Sequence, residues 1–295
     1  MNDKREVEGI LILIFVTIIW GSTFSVSKIS LNYISPIILL FLRFTIGTIS
    51  LFFYIKFFLR EKVKISKYGL ILGIINFLAI AFQTYGLKFT SATKTAFITG
   101  ISVILVPIGE KFLFKNNISK NIWISVILAF LGLILLTLDY KEFKGINLGD
   151  FLVFLCAITY AFQILYISYV IQKGDISNIA FGELLLTSIL SFIFAFTEYK
   201  NFSLTNIFIV FLPILYLGIV ATSLTLTLQL IGQKYLSPSK SAIVYNLEPV
   251  FASLFAMIFL KENLRVGQWI GAILILLALF LSLPQFSNLN RMKKE

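Results

Sequence analysis

Four charged side chains interrupt otherwise apolar runs of this 295-residue chain: Arg43, Glu110, Glu183 and Glu248. A charge in the middle of a bilayer-length helix costs roughly 2.5–3.5 kcal/mol on insertion scales, so each calls for a reason to be there. A guanidinium can grip a carboxylate in a bidentate fork while a glutamate accepts an ammonium group. One cation and several carboxylates around a shared cavity would therefore suit a zwitterion better than a simple anion.

Each residue also has a plainer reading. Arg43 could pair with a glutamate or with helix-end carbonyls. Glu110 is followed by Lys111 and Lys115, so its carboxylate could reach along the helix to a polar boundary. Glu248 precedes Pro249, which removes a backbone hydrogen bond to the Tyr245 carbonyl and permits a kink near the middle of the run. A carboxylate beside a freed carbonyl is a candidate ion or substrate site, or a tie between helices. Glu248 and Glu183 are the candidates for proton coupling.

Polar and aromatic residues inside the same runs complete a candidate substrate pocket with Arg43 and Glu183. They are Trp20 and Thr23, then Asn76, Gln83 and Tyr85, then Tyr160 and Gln163, and finally Gln229, Tyr245 and Asn246. Trp20 and Tyr160 lie in the middle of their runs, where an aromatic ring is less readily explained as a membrane-interface anchor.

Other chemistries are poorly provided for. Histidine is absent, which removes the commonest metal ligand and the usual general base. The four aspartates (Asp3, Asp139, Asp150 and Asp175) fall at run ends or between runs, so no metal site of paired aspartates is expected within the membrane. Cys156 is the one cysteine and can form no intramolecular disulfide. No phosphate-binding loop occurs, and short connections leave no room for a catalytic domain. Neither an enzyme nor a cofactor is expected.

The elements that must position these residues are membrane helices. Hydrophobic residues make up 58% of the chain and the mean hydropathy is +0.94, values a water-soluble fold could not hide. The first run lacks a small-residue cleavage site and is read as a retained span. Ten apolar runs, at about 10–29, 36–56, 68–87, 95–114, 121–138, 148–170, 178–197, 207–231, 241–260 and 266–283, predict an all-α membrane protein with ten transmembrane helices. Of the lysines and arginines other than Arg43, sixteen fall on one side and eight on the other, which predicts both termini in the cytoplasm. The net charge of +11 is spread over connections, as topology signals are, so no nucleic-acid partner is expected. Gly69 with Gly73, and Gly267 with Gly271, have the small-residue spacing of close helix contacts, the latter a weak hint of a homodimer.

The second half repeats the first. From Gln83 to Leu138 each residue has a counterpart 146 positions later without a gap, with Gln83/Gln229, Gly86/Gly232, Lys88/Lys234, Ser91/Ser237, Lys94/Lys240, Lys115/Lys261, Asn117/Asn263 and Trp123/Trp269 identical. Earlier in the chain, Trp20 corresponds to Tyr160, and Arg43 and Glu183 occupy nearly equivalent places. The units are residues 1–140 and 141–295. Five spans per unit is an odd number, so the second copy must thread the membrane in the opposite sense, giving two inverted five-helix repeats and the symmetry used for alternating access.

Several motifs resemble the EamA-type branch of the drug/metabolite transporter superfamily, ten-helix bacterial carriers. Trp20-Gly21-Ser22-Thr23-Phe24 matches the family's tryptophan-glycine-small-polar motif in the first span. Arg43 follows Ser35-Pro36 where members usually carry an arginine, and Asn246-Leu247-Glu248-Pro249-Val250 leads to Leu260-Lys261-Glu262-Asn263-Leu264, like the family's glutamate-proline stretch and terminal glutamate. The first repeat departs from the second: Pro107 aligns with Ser253 rather than Pro249, and Asn116 stands opposite Glu262, so the two fourth-type spans are not expected to bend alike.

The resemblance implies a multi-pass protein of the bacterial cytoplasmic membrane that exports or exchanges a small metabolite without a cofactor. The charged residues point to an amino acid as substrate. The rival within transport is an exporter of bulky lipophilic cations, served by the 31 phenylalanines. A membrane enzyme and a non-transporting scaffold are weaker alternatives. The expected partners are the small-molecule substrate and the lipid bilayer.

Overall fold

The computed structural model describes residues 3–137, 146–201, 203–260 and 264–283. Among these the chain is mainly helical and contains no strand. Eight helical segments are long and apolar enough to cross a membrane: Lys4–Ser30, Pro36–Phe58, Lys67–Phe89, Lys94–Phe114, Lys120–Thr137, Leu148–Val170, Ile176–Glu198 and Phe211–Gln233. The last two predicted runs are also helical, one broken in two and the other, Val266–Ser282, shorter. Glu262 and the identities at Lys261 and Asn263 lie outside the described residues.

We number the helices α1 (Asp3–Ser30), α2 (Pro36–Phe53), α3 (Lys67–Phe89), α4 (Ala92–Gly100), α5 (Ser102–Phe114), α6 (Lys120–Thr137), α7 (Leu148–Val170) and α8 (Ile176–Ala195). Then follow α9 (Leu204–Ile209), α10 (Phe211–Leu215), α11 (Thr225–Gln233), α12 (Pro238–Tyr245), α13 (Glu248–Leu260) and α14 (Val266–Ser282). Tyr54–Phe58 closes α2 as a π-helical turn, and Tyr216–Leu224 is a π-helical stretch joining α10 to α11.

Local chemistry sets the ends. Ser91 and Ser237 each cap a helix by accepting the amide three residues on, from Lys94 and Lys240. Asn147 and Asp150 form a reciprocal capping box at α7. The basic stretch after Phe58 carries Arg60 with φ 56° and is not helical until Lys67.

The interruption of the fourth-type spans corrects the expectation from the prolines. Helix α4 gives way to α5 at Gly100-Ile101, and α12 to α13 at Asn246-Leu247, positions that are 146 apart in both cases. Pro107 lies within α5 and Pro249 in the first turn of α13, so neither marks the break. Tight turns make it: the Ile101 amide donates to the Ile98 carbonyl, and that of Leu247 to Val244. The Asn246 side-chain amide then donates to the Ala129 carbonyl of α6, holding the second break from a neighbouring helix.

Packing relies on close backbone approach. A Cβ at Gly69 would stand 2.3 Å from the Ile179 carbonyl oxygen, and one at Gly73 2.8 Å from that of Glu183, so α3 lies directly on α8. Gly271 serves α6 in the same way, 2.5 Å from Gly132 oxygen, whereas Gly267 meets nothing within 4 Å. Outside, Leu11, Phe15, Ile49, Phe112, Ile124 and Phe208 are exposed, among many other large apolar side chains. A surface this apolar belongs against lipid rather than water. The chain is a multi-pass membrane protein.

Candidate functional site

A central cavity enclosing about 680 Å³ of free space, its opening included, lies where the interrupted helices meet α1, α2, α3, α7 and α11. Ten of the sequence-predicted residues line it: Trp20, Thr23, Arg43, Asn76, Gln83, Tyr160, Gln163, Gln229, Tyr245 and Glu248. The two halves contribute in matched places. Trp20 and Thr23 recur 140 residues later as Tyr160 and Gln163, while Ile80, Gln83, Thr99 and Ser102 recur 146 residues later as Leu226, Gln229, Tyr245 and Glu248.

Arg43 reaches the cavity from the middle of α2 and is 8% exposed. Its Nε donates to Thr222 Oγ1 at 2.6 Å and its Nη2 to the Ala221 carbonyl at 3.1 Å. Both acceptors belong to the π-helical stretch, the kind of helical irregularity that recurs at functional sites. Close contact between Gly47 and Gly218 brings α2 against that stretch. No carboxylate among the described residues lies within 4 Å of the guanidinium. Glu248, at the start of α13, lines the same cavity and is near enough for its charge to act on Arg43. An unpaired cation and an unpaired carboxylate therefore share one enclosed space.

Aromatic rings and amides make the remaining polar surface. The Trp20 indole N–H donates to Thr225 Oγ1 at 2.9 Å, and its ring centroid lies 5.7 Å from that of Tyr245. Gln83 Nε2 donates to Thr99 Oγ1 at 3.4 Å. Gln163 sits at a junction: its Nε2 donates to Glu183 Oε1 at 2.8 Å and to Asn76 Oδ1 at 3.3 Å, while Asn76 Nδ2 donates to Thr187 Oγ1 at 3.2 Å. The Glu183 Oε2 and Gln229 Oε1 atoms are buried without a hydrogen-bond partner.

Three predicted pocket residues stand elsewhere. Glu183 is fully buried behind Gln163, one step removed from the cavity wall. Asn246 turns to the Ala129 carbonyl, and the Tyr85 hydroxyl donates to Glu198 Oε1 at 3.4 Å. Glu110 does not reach towards a polar boundary: it is 4% exposed, and its Oε2 accepts both the backbone N–H of Ser239, at 2.9 Å, and the Ser239 hydroxyl. Its Oε1 accepts from Asn116 Nδ2 at 3.3 Å. The free amides at the start of α12 draw the carboxylate inward. Thr99 and Ser102 were missed by sequence reasoning, although their repeat counterparts Tyr245 and Glu248 were both chosen. Phe44, Ile164, Ala221 and Leu226 carry no signal that separates cavity wall from core.

Comparison with known proteins agrees with this architecture. The profile of the EamA-like transporter family matches twice, at residues 7–138 and 147–283. The chain is 36% identical over 270 residues to an uncharacterized transporter of Archaeoglobus fulgidus, covering 91% of this chain and 83% of that protein. It is 24% identical over 291 residues to the uncharacterized transporter YoaV of Bacillus subtilis, covering 96% and 99%. A crystal structure superposes with a TM-score of 0.79 over 93% of this chain and 95% of the other at 17% identity, a likeness of fold alone.

Proposed function

The chain belongs to the EamA-like transporter family, and from that premise we propose that it is a secondary carrier exporting or exchanging an amino acid or related zwitterion. The observation that carries this reading is the pairing of Arg43 with Glu248 in one cavity without an ion pair between them. Two guanidinium nitrogens are held by Thr222 and Ala221, and the remaining N–H donors are free to grip a carboxylate. Glu248 and the faces of Trp20, Tyr160 and Tyr245 offer an ammonium group its complement.

The proposed architecture is ten spans in two inverted five-helix units, with both termini in the cytoplasm. Its support is the recurrence of helix ends 146 residues apart, α4, α5 and α6 with α12, α13 and α14, and the paired lining positions. Units of this kind exchange conformations to open the cavity to each side in turn. Proton coupling falls to Glu248 at the wall and to Glu183 behind Gln163. A homodimer through the last helix would use the open Gly267 end of α14, since Gly271 is already taken by α6.

Counterflow in liposomes tests the reading. Labelled amino acid should accumulate against a preload of the same compound, and Arg43→Ala should abolish this in protein that is still folded. A panel with no accumulating amino acid removes the substrate assignment. The aromatic lining also favours lipophilic cations, and competition by such compounds for uptake that Arg43→Ala leaves intact would establish that second reading instead.

A further inference from the structure

Two ion pairs stand at opposite ends of the cavity and are built on equivalent lysines. Lys94 Nζ lies 3.3 Å from Asp150 Oδ2, and Lys240 Nζ is paired with Glu6. The lysines are 146 residues apart and each occupies the third position after its serine cap, at the start of α4 and of α12. Each binds an acid on the first helix of the other half: Lys94 of the first half reaches α7, and Lys240 of the second reaches α1. The acids are only 8% and 7% exposed, so these contacts are not loose surface pairs.

Their separation follows from α1 itself. Glu6 lies in its first turn and Lys28 in its last, about 33 Å further along at 1.5 Å per residue. Lys28 Nζ donates to the carbonyls of Leu87 and Thr90, and Thr90 Oγ1 donates to Asp150 Oδ1 at 2.6 Å, which places the Lys94 pair at the Lys28 end. Trp20 and Thr23, on the cavity wall, lie between the two ends. The backbone closes at the same two places: a Cβ on Gly86 would stand 2.9 Å from the Gly149 oxygen, and one on Gly9 2.9 Å from the Gly232 oxygen. Gly86 and Gly232 are again 146 apart, and Gly9 and Gly149 are 140 apart.

We propose that Lys94–Asp150 and Lys240–Glu6 are the two gates of the carrier, one at each mouth, and that each must break for the cavity to open to its own side. This rests on the carrier reading above. Both pairs are made in this structure. Opening one side separates the lysine of one half from the first helix of the other while the opposite pair holds, and so the cavity is never continuous across the membrane. Thr90 of the first half also binds Asp150, so opening this gate breaks that contact as well as the ion pair.

The test reads exposure of the cavity and needs no substrate. In a Cys156→Ala background, Thr99→Cys on the cavity wall is labelled with a membrane-impermeant maleimide from either face of sealed vesicles. Lys240→Ala should raise labelling from the face bearing the N-terminus, and Lys94→Ala from the opposite face, each by roughly fivefold, the scale of an ordinary conformational coupling. The exchanged pair Lys240→Glu with Glu6→Lys should return labelling to the parent rate, which guards against a variant that merely folds badly. Gating is overturned if both single variants raise labelling from the same face, or if folded variants leave labelling unchanged from both. Variants that label as expected, beside unmutated protein that shows no counterflow, overturn the carrier reading alone.

Discussion

Replacing Thr222 with valine removes one atom that matters to the cavity arginine and keeps the shape around it. The Thr222 hydroxyl accepts from Arg43 Nε at 2.6 Å in a buried setting, and its methyl packs towards Gly47, where a Cβ would stand 3.1 Å away. Valine keeps that methyl and loses the acceptor, leaving a charged N–H unpaired. Hydrogen bonds to charged groups contribute about 1.5–3 kcal/mol, and with 1.4 kcal/mol per tenfold the guanidinium's grip on a carboxylate should weaken by roughly ten- to a hundredfold. The Ala221 carbonyl still holds Nη2, so the lower part of that range is expected. The assay is concentration-dependent counterflow of whichever amino acid the parent accumulates, with Thr222→Val and Thr222→Ser side by side. KM should rise in the valine variant with little change in the maximal rate, while serine, which restores the hydroxyl without the methyl, should stay near the parent. A folded valine variant whose KM lies within about twofold of the parent would refute the anchoring of Arg43 by Thr222.

Three further outcomes follow from the geometry. Glu110→Ala should lower stability by about 1–2 kcal/mol, because the Ser239 amide and hydroxyl lose their buried acceptor; thermal unfolding in detergent reads this. Gly271→Ala should be the more damaging of two alanine substitutions on α14, since its Cβ would meet Gly132 oxygen and Leu136 nitrogen at 2.5 Å while Gly267→Ala meets nothing, and the yield of monodisperse protein compares them. Glu248→Gln fixes the side chain in a neutral form, so counterflow should lose its dependence on pH; a variant keeping the parent's pH profile would remove Glu248 from any proton-coupling role.

The parts of the site that were legible in the sequence were those that apolar composition makes rare. An arginine, a few glutamates and amides repeated at a constant spacing cannot arise from a general preference for lipid, which is why Arg43, Glu248 and the Gln83/Gln229 pair could be chosen and do line the cavity. Phe44, Ile80 and Leu226 line it too, but a leucine facing a cavity is spelled like a leucine facing a helix. The breaks at Gly100-Ile101 and Asn246-Leu247 were obscured by the prolines, which suggested unlike bends. Glu110 was misread because its partner, Ser239, is 129 residues away and only the fold brings it near. Lys94 and Lys240 were visible as a repeated pair yet counted only as charges that orient helices. Their partners Asp150 and Glu6 lie on helices of the other half, and the repeat alone does not reveal which acid each would meet.

The matched cavity positions have diverged in kind while keeping their places. Where one half offers Ser102 the other offers Glu248, where one offers Thr99 the other offers Tyr245, and the counterpart of Arg43 is an acid held behind the wall. Two identical halves would hold a dipolar solute equally well either way round, and a solute free to tumble in its cage gains nothing from having two different ends. Divergence at equivalent positions removes that degeneracy. On the proposed zwitterion reading, the bound molecule keeps one polarity throughout the cycle, its negative end towards α2 and its positive end towards α13, whichever door it entered by. A compound and its head-to-tail reversed isomer should therefore differ as passengers even at equal size and charge.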